Sequence, residues 1–178
     1  MIEFQKFPKI PRYKRTVIVT EKIDGTNAQI FIGEDGQILI GSRNRWISTE
    51  DDNYGFADWV RGHEYELLKL GPGRHFGEWW GSGIQRGYGL DHKRFSLFNV
   101  GRWKEPATLP ERVHVVPILW QGQVEDLNVP HLMAKLKLGG SWAAPGFYNP
   151  EGIVVYHTAA KQCFKVTYDH DEKGKESL

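Results

Sequence analysis

The chain is nearly without cysteine. Cys163 is the only one in 178 residues, which excludes an internal disulfide framework and a thiolate zinc cluster. No apolar run approaches the ~18 residues of a membrane span, and the N-terminus lacks the hydrophobic core of a signal peptide. An excess of one charge sign is missing too. The formal net charge of +1 excludes a strongly basic nucleic-acid coat but leaves room for a local basic face. The glycine-rich stretch Gly83-x-x-x-Gly87-x-Gly89 matches neither the dinucleotide fingerprint nor the P-loop, and no Gly-Lys-Ser/Thr is present. What remains is 40% hydrophobic and 25% charged residues with seven tryptophans. That composition predicts a soluble, cytoplasmic globule of one domain, or one domain with a small appendage.

The pattern along the chain predicts many strands and two helices. Thr16 to Thr20, Ala28 to Ile32, Gln37 to Gly41, Arg74 to Trp80, Arg94 to Val100, Val113 to Trp120, Glu151 to His157 and Gln162 to Tyr168 read as strands. Phe56, Trp59, Val60, His63, Leu67 and Leu68 recur at helical spacing, so a helix is expected from about Glu50 to Leu70, stopped by Gly71-Pro72-Gly73. A second helix opens at Asn128-Val129-Pro130 with an apolar stripe of Leu132, Met133, Leu136 and Leu138, and ends at Gly139-Gly140. Together these predict an α+β domain with mainly antiparallel sheets. Residues 1–15 mix Lys6, Lys9, Arg12, Lys14 and Arg15 with aromatics and prolines. They read as an extended basic arm, either solvated or in contact with phosphates. Residues 169–178 read as a polar tail.

The chain turns around Thr20-Glu21-Lys22-Ile23-Asp24-Gly25-Thr26-Asn27, where a lysine stands at a tight Asp-Gly corner between two β-branched runs. Gly25 permits close backbone approach or positive φ there. Lys-x-Asp-Gly alone is weak evidence, since average residue usage produces it by chance in about one chain of this length in twenty-five. Four more charged residues keep it company in strands or at strand ends: Arg43, Glu78, Glu151 and Lys165. Any one of them could be an outward-facing residue or half of an ion pair. All five, flanked by aromatic or β-branched neighbours, suggest a charged pocket between two sheets in which two carboxylates and three cations nearly balance.

Six blocks now carry a resemblance: Glu21-Lys22-Ile23-Asp24-Gly25-Thr26-Asn27, Ser42-Arg43-Asn44, Phe76-Gly77-Glu78-Trp79, Ser96-Leu97-Phe98-Asn99-Val100, Glu151-Gly152-Ile153-Val154 and Phe164-Lys165-Val166-Thr167. In this order and spacing the chain resembles the covalent nucleotidyltransferase superfamily of ATP-dependent ligases and RNA-capping enzymes. Within it, the chain most resembles RNA ligases of the phage and RNA-editing kind. The resemblance implies a ligase-type adenylation domain over residues 1–168, with ATP and Mg²⁺ or Mn²⁺ as cofactors. It also implies an RNA-sealing and nucleic-acid repair role through a lysyl-AMP. Lys22 would be the nucleophile and would have to shed its proton, helped by desolvation and by the nearby cations Lys165 and Arg43. Glu21 would lie beside adenine through its backbone, and Phe98 would stack on the base. Glu78 would accept from a ribose hydroxyl, and Arg43 would contact ribose or phosphate. Asn27 would face phosphate, Lys165 would grip the α-phosphate, and Glu151 would help hold the divalent ion through water.

Partners implied are RNA ends, a 5′-phosphate and a 3′-hydroxyl, with nicked DNA as an alternative substrate and an accessory protein as a source of substrate grip. Rival readings stay open at several positions. Phe98 equally suits a core strand, and Glu78 and Glu151 could form structural ion pairs. The whole pocket could belong to a binding module without turnover. Two departures from the family pattern stand out. Thr167 occupies a position that usually carries a second basic residue, so Arg86 or Lys161 would have to supply that charge. Only about eleven residues follow Thr167, so neither the OB-type nor the helical C-terminal domain of relatives is expected. Arg86, Lys93 and Arg94 are further candidates for phosphate contacts.

Overall fold

The structure, a computed structural model, describes residues 2–103, 109–169 and 171; most of the expected polar tail lies outside them. Two sheets form the body. Strands β1 (Thr16–Lys22), β8 (Ile118–Gln123), β9 (Gly152–His157) and β10 (Gln162–Thr167) make one, ordered β10-β9-β1-β8. Strands β2 (Thr26–Ile32), β3 (Ile38–Ser42), β4 (Trp46–Ile47), β5 (Gly73–Gly81), β6 (Lys93–Leu97) and β7 (Val113–Val115) make the other, ordered β4-β3-β2-β5-β6-β7. Among the described residues only the β6–β7 pair is parallel, so the expectation of an α+β fold with mainly antiparallel sheets holds.

Each sheet buries one face under a helix. Strand alternation turns Ala28, Ile30, Ile32, Ile38 and Ile40 to one side of the larger sheet, where they meet Phe56, Trp59, Val60, Leu67, Trp79 and Phe95. The rings of Phe56 and Trp59 lie 5.2 and 4.9 Å from that of Trp79. Truncating any of the three would cost about 3–5 kcal/mol. Behind the smaller sheet, Val17, Val19, Ile153 and Val155 pack on Leu132 and Leu136 of helix α3 (Val129–Gly139). That helix starts as its sequence predicts, with Asn128 Oδ1 accepting from the His131 N–H at 3.0 Å. It stops at Gly140, whose φ is 79°. Leu138, expected in the apolar stripe, is exposed instead.

Two other expectations need correction. The helix expected from Glu50 begins only at Phe56 and breaks at His63, giving α1 (Phe56–Gly62), α2 (Glu64–Leu67) and a final 3₁₀ turn over Leu68–Leu70. Residues 50–55 instead build its cap: the Asp52 carboxylate accepts from the N–H groups of Ala57 at 2.7 Å and Asp58 at 3.0 Å. This satisfies donors that a helix start leaves open. Leu68 is exposed, outside the buried stripe. The strand expected over Val113 to Trp120 is cut at Val116-Pro117, because proline cannot donate to a ladder. Its first half joins the larger sheet as β7 and its second half the smaller one as β8.

The chain thus crosses between sheets at Ile23-Asp24-Gly25 and again at Val116-Pro117. A third apolar cluster of Ile23, Trp80, Tyr88, Val116 and Ala144 holds these crossings together. Gly25 is required there by close approach: an added Cβ would lie 2.5 Å from the Trp79 carbonyl oxygen and 2.7 Å from Trp80 Cβ. The two sheets, hinged at this corner, open on their other faces into a cleft.

Candidate active site

The cleft encloses about 630 Å³, within the ~300–1,000 Å³ usual for small-molecule sites. Its floor is where β1 meets β2. Because alternate residues of a strand share a face, Ile18, Thr20 and Lys22 all point into it, and all three line it. Lys22 Nζ donates to Glu151 Oε2 at 2.7 Å, both side chains being about four-fifths buried or a little less. Glu151 sits just before β9, whose first residue, Gly152, is Lys22's cross-strand partner.

Facing this pair from the other sheet is Glu78 of β5, buried to 8% exposure. Its Oε1 accepts from the Gly25 N–H at 3.2 Å, and its Oε2 from Asn27 Nδ2 at 3.0 Å. Burial pushes the Glu78 carboxyl up to about 7, against the pull of Lys22, Asn27 and the Gly25 N–H, while Glu151 pushes with it. Asn27 thus buttresses Glu78 with its amide nitrogen, and it lines the cleft, as do Arg43 and Phe98. Arg43, in the β3–β4 loop, is exposed at the rim. Phe98 follows β6, is 41% exposed, and enters from the larger sheet while Val154 enters from the smaller one. The core reading of Phe98 gives way to one in which its ring is open to a ligand.

Lys165 stands apart from this group. It is exposed on β10, opposite Val154 of β9, which in turn faces Thr20 of β1. It shares the cleft-side face of its sheet with Cys163, which does line the cleft. It therefore lies about two strand spacings, near 10 Å, from Thr20, and is offset by a further two residues along the sheet from Lys22. The expected near-balance of two carboxylates and three cations in one pocket is corrected accordingly. On the floor Lys22 meets Glu151 and Glu78, while Arg43, Arg74 and Arg102 also line the cleft and Lys165 is not among its lining residues.

Glu21 turns the other way from Lys22. Its side chain is 1% exposed, and its Oε2 accepts from the N–H groups of Trp142 at 2.8 Å and Ala143 at 2.9 Å. Its Oε1 has no hydrogen-bond partner among the described residues. Burial raises its carboxyl above the ordinary range, opposed by Ser141 and the two N–H groups. It anchors the 141–144 segment on the side of β1 away from Lys22. Sequence reasoning missed that role, and missed Tyr88, whose hydroxyl accepts from the Asp24 N–H at 2.8 Å. Alternation along β1 signals that Glu21 and Lys22 point to opposite faces, but nothing in the sequence points to its partners 121 and 122 residues away.

The basic residues expected to contact phosphate are mostly engaged in holding the fold. Arg86 donates to Asp24 at 2.9 Å, to the Asn149 carbonyl and to Asp169, both at 3.2 Å. Lys93 donates to the Tyr54 carbonyl at 2.8 Å. Arg94 lies over the Trp80 ring and donates to His92 Nε2. Nor does Thr167 offer a hydroxyl proton to the cleft, since its Oγ1 donates to the Asp169 carbonyl at 2.8 Å. Among the described residues no group of three or more His, Cys, Asp or Glu could hold a metal ion. A divalent ion would rest on Glu151 and on oxygens of the substrate, as suits Mg²⁺ beside a polyphosphate.

Two sheets are thus hinged around a cleft of about 630 Å³ with Lys22 and Glu78 in its lining and Glu151 paired to the lysine. Residues 15–167 match the RNA ligase family model, and the chain belongs to that family. No curated protein sequence matches the chain. Among solved structures it is similar to the RNA ligase of Naegleria gruberi. One mutant of that ligase with ATP and Mn superposes with a TM-score of 0.67 at 22% identity, over 92% of this chain and 53% of the ligase. Another with ATP and Mn gives 0.64 at 20%, over 88% and 50%, and an apo mutant gives 0.64 at 21%, over 94% and 53%. The likeness establishes the shared fold, and this chain spans about half the length of those ligases.

Proposed function

We propose that the protein is an ATP-dependent RNA ligase that works through a covalent lysyl-AMP on Lys22. The observation that carries this reading is the placement of Lys22 Nζ against Glu151, 2.7 Å away, in a cleft also lined by Glu78, Arg43 and Phe98. Lys22 Nζ attacks the α-phosphorus of ATP; the N–P bond forms, and the P–O bond to pyrophosphate breaks, its electron pair leaving with pyrophosphate. A 5′-phosphate oxygen of RNA then displaces Lys22, giving a 5′–5′ pyrophosphate link. The RNA 3′-hydroxyl finally attacks the 5′-phosphorus and expels AMP.

Each nearby residue has a part. Glu151 holds the resting lysine in place and takes up its proton, or passes it on, as the amine is freed for attack. Adenine enters between Phe98 and Val154, where stacking needs only a π-face. Glu78 accepts from a ribose hydroxyl. Arg43 and Lys165 gather the phosphates and offset negative charge on the phosphorus at the transition state. A divalent ion beside Glu151, Mg²⁺ or Mn²⁺, would neutralise phosphate oxygens and polarise the reacting phosphorus. The working unit is residues 1–168, with 1–15 as its basic arm. A cytoplasmic location fits the single cysteine and the absence, among the described residues, of a helix long and apolar enough to cross a membrane.

A second reading, a nucleotide-binding module without turnover, draws on Thr167, whose hydroxyl is engaged within its own turn. Incubation with α-labelled ATP and Mg²⁺ or Mn²⁺ separates the two. Label that survives denaturation in the wild type and vanishes in Lys22→Ala is the expected result. Label absent from the wild type would establish the binding module instead. Sealing assays on nicked RNA and nicked DNA then set the substrate.

A further inference from the structure

The cleft-side face of the larger sheet continues past the cleft, whose lining already includes Phe98, Phe76 and Arg74. Cross-strand register places Phe98, Phe76, Gln29, Gly41 and Trp46 in one row running across β6, β5, β2, β3 and β4. Phe98 donates its N–H to the Phe76 carbonyl, Phe76 faces Gln29, Gln29 faces Gly41, and Gly41 faces Trp46. Four strand spacings make this row about 19 Å long. Phe76 and Trp46 are 51% and 48% exposed. Arg74, one position along the same face, lies 5.4 Å from the Phe31 and Trp46 rings and 5.9 Å from that of Phe76. It donates to Gln29 Oε1, an amide oxygen, so its charge is not neutralised there.

A core strand would not leave large aromatics and an arginine on an open face. Contiguous exposed apolar surface on a folded protein marks a binding site. The occupant is set by chemistry. The cleft-side strand positions from Gln29, Gly41 and Phe76 outward carry no Asp or Glu. A cation held flat among rings suits flat, electron-rich partners on a negatively charged backbone. The row is also continuous with the cleft at Phe98, and the β3–β4 loop that begins at Arg43 leads into Trp46, the first residue of β4. A strand leaving the phosphates past Arg43 meets Trp46 next.

We infer that this aromatic row with Arg74 is a stacking platform for unpaired RNA bases next to the reacting end. The inference rests on the ligase reading for its choice of nucleic acid. It gives the protein a preference for frayed or single-stranded ends over fully stacked duplex. A four-stranded sheet of comparable width stacks two or three bases in RNA-recognition domains, and the row offers similar room.

The test uses a fluorescein-labelled single-stranded RNA, an abasic strand of the same length, and a fully paired duplex, with affinity read by anisotropy across a salt series. The wild type should bind the single-stranded RNA about tenfold or more tightly than the abasic strand, since each stacked base is worth ~1–3 kcal/mol. Trp46→Ala and Phe76→Ala should each lose about tenfold with an unchanged salt slope, while Trp46→Phe keeps most of the affinity. Equal wild-type affinity for the abasic strand, or undiminished binding by both alanine variants, would overturn the platform. So would a wild-type dimer that Trp46→Ala converts to monomer, which would assign the face to a second copy. Covalent AMP labelling of Trp46→Ala should match the wild type. Label missing from the wild type itself removes the ligase reading and leaves the binding result to stand or fall separately.

Discussion

Replacing Glu78 by glutamine should make the protein more stable and less active, and the first effect should depend on pH in a defined direction. The folded environment raises this carboxyl from 4.5 to about 7. Below pH 4.5 the group is neutral in folded and unfolded chains alike and costs nothing. As pH rises past 4.5 the unfolded chain releases its proton first, so stability falls until the folded group ionises near 7. One pKa step is worth about 1.4 kcal/mol, which puts the full cost at about 3 kcal/mol by pH 8. Glutamine removes that cost. It also turns one acceptor into a donor facing the Asn27 amide or the Gly25 N–H, at a loss of about 1 kcal/mol. The net expectation is a gain of about 2 kcal/mol at pH 8, or roughly 4–8 °C in Tm for a chain this size. At pH 5 the gain should vanish or reverse. Glu21, also raised by burial, titrates in both proteins and cancels in the difference. Thermal unfolding of both proteins from pH 5 to pH 8 is the assay. A Tm difference that does not change with pH would refute the electrostatic reasoning. AMP labelling by the variant should fall by about tenfold, the worth of one hydrogen bond to the ribose.

Two more substitutions test the frame. Gly25→Ala should cost about 1–3 kcal/mol in urea unfolding, because its Cβ meets the Trp79 carbonyl and Trp80 Cβ; an unaltered midpoint would mean the corner can relax. Neutralising Arg86, Lys93 or Arg94 should leave the slope of log affinity against log salt for RNA unchanged, since each donates within the fold. Arg43→Gln, by contrast, should lower the slope by about 0.7 for a single strand. A fall in slope for the first three with Arg43→Gln silent would reverse the assignment of the phosphate contacts.

Much of the sheet architecture was legible because period-two burial is a local signal. Val17 and Val19 alternate with Ile18 and Thr20, and Ile30 and Ile32 with Gln29 and Phe31, whatever the rest of the chain does. The site was legible in outline for a different reason: lysine, glutamate and arginine in strands contradict burial unless they converge. What local pattern does not carry is reach. Helical spacing from Phe56 to Leu67 is real, yet the break at His63 and the cap supplied by Asp52 depend on geometry the spacing does not encode. Pro117 was visible, but that it sends the chain from one sheet to the other follows only from the two sheets existing. The same limit hid the anchoring of Ala143 by Glu21 and the engagement of Arg86 with both Asp24 and Asp169. Arginines that look free in sequence are often bound to a fold that the sequence does not display.

On the proposed ligase reading, the placement of charge would orient the nucleotide. On the floor, Glu151 and Glu78 outnumber Lys22, and burial, with a smaller push from Glu151, raises Glu78 to about 7. A polyphosphate set among those carboxylates would be repelled; a ribose hydroxyl would be welcomed as a donor. On the proposed ligase reading, adenosine would lie along Glu78 and Phe98, both on the larger sheet, with its phosphates turned toward Arg43 and Lys165. Lys22 stands between the two regions on β1, paired on one side with a carboxylate and open on the other to the cleft. If Lys165→Ala weakened adenosine binding as much as it weakened ATP binding, the phosphates would not be at the rim, and the direction of the bound nucleotide would have to be reversed.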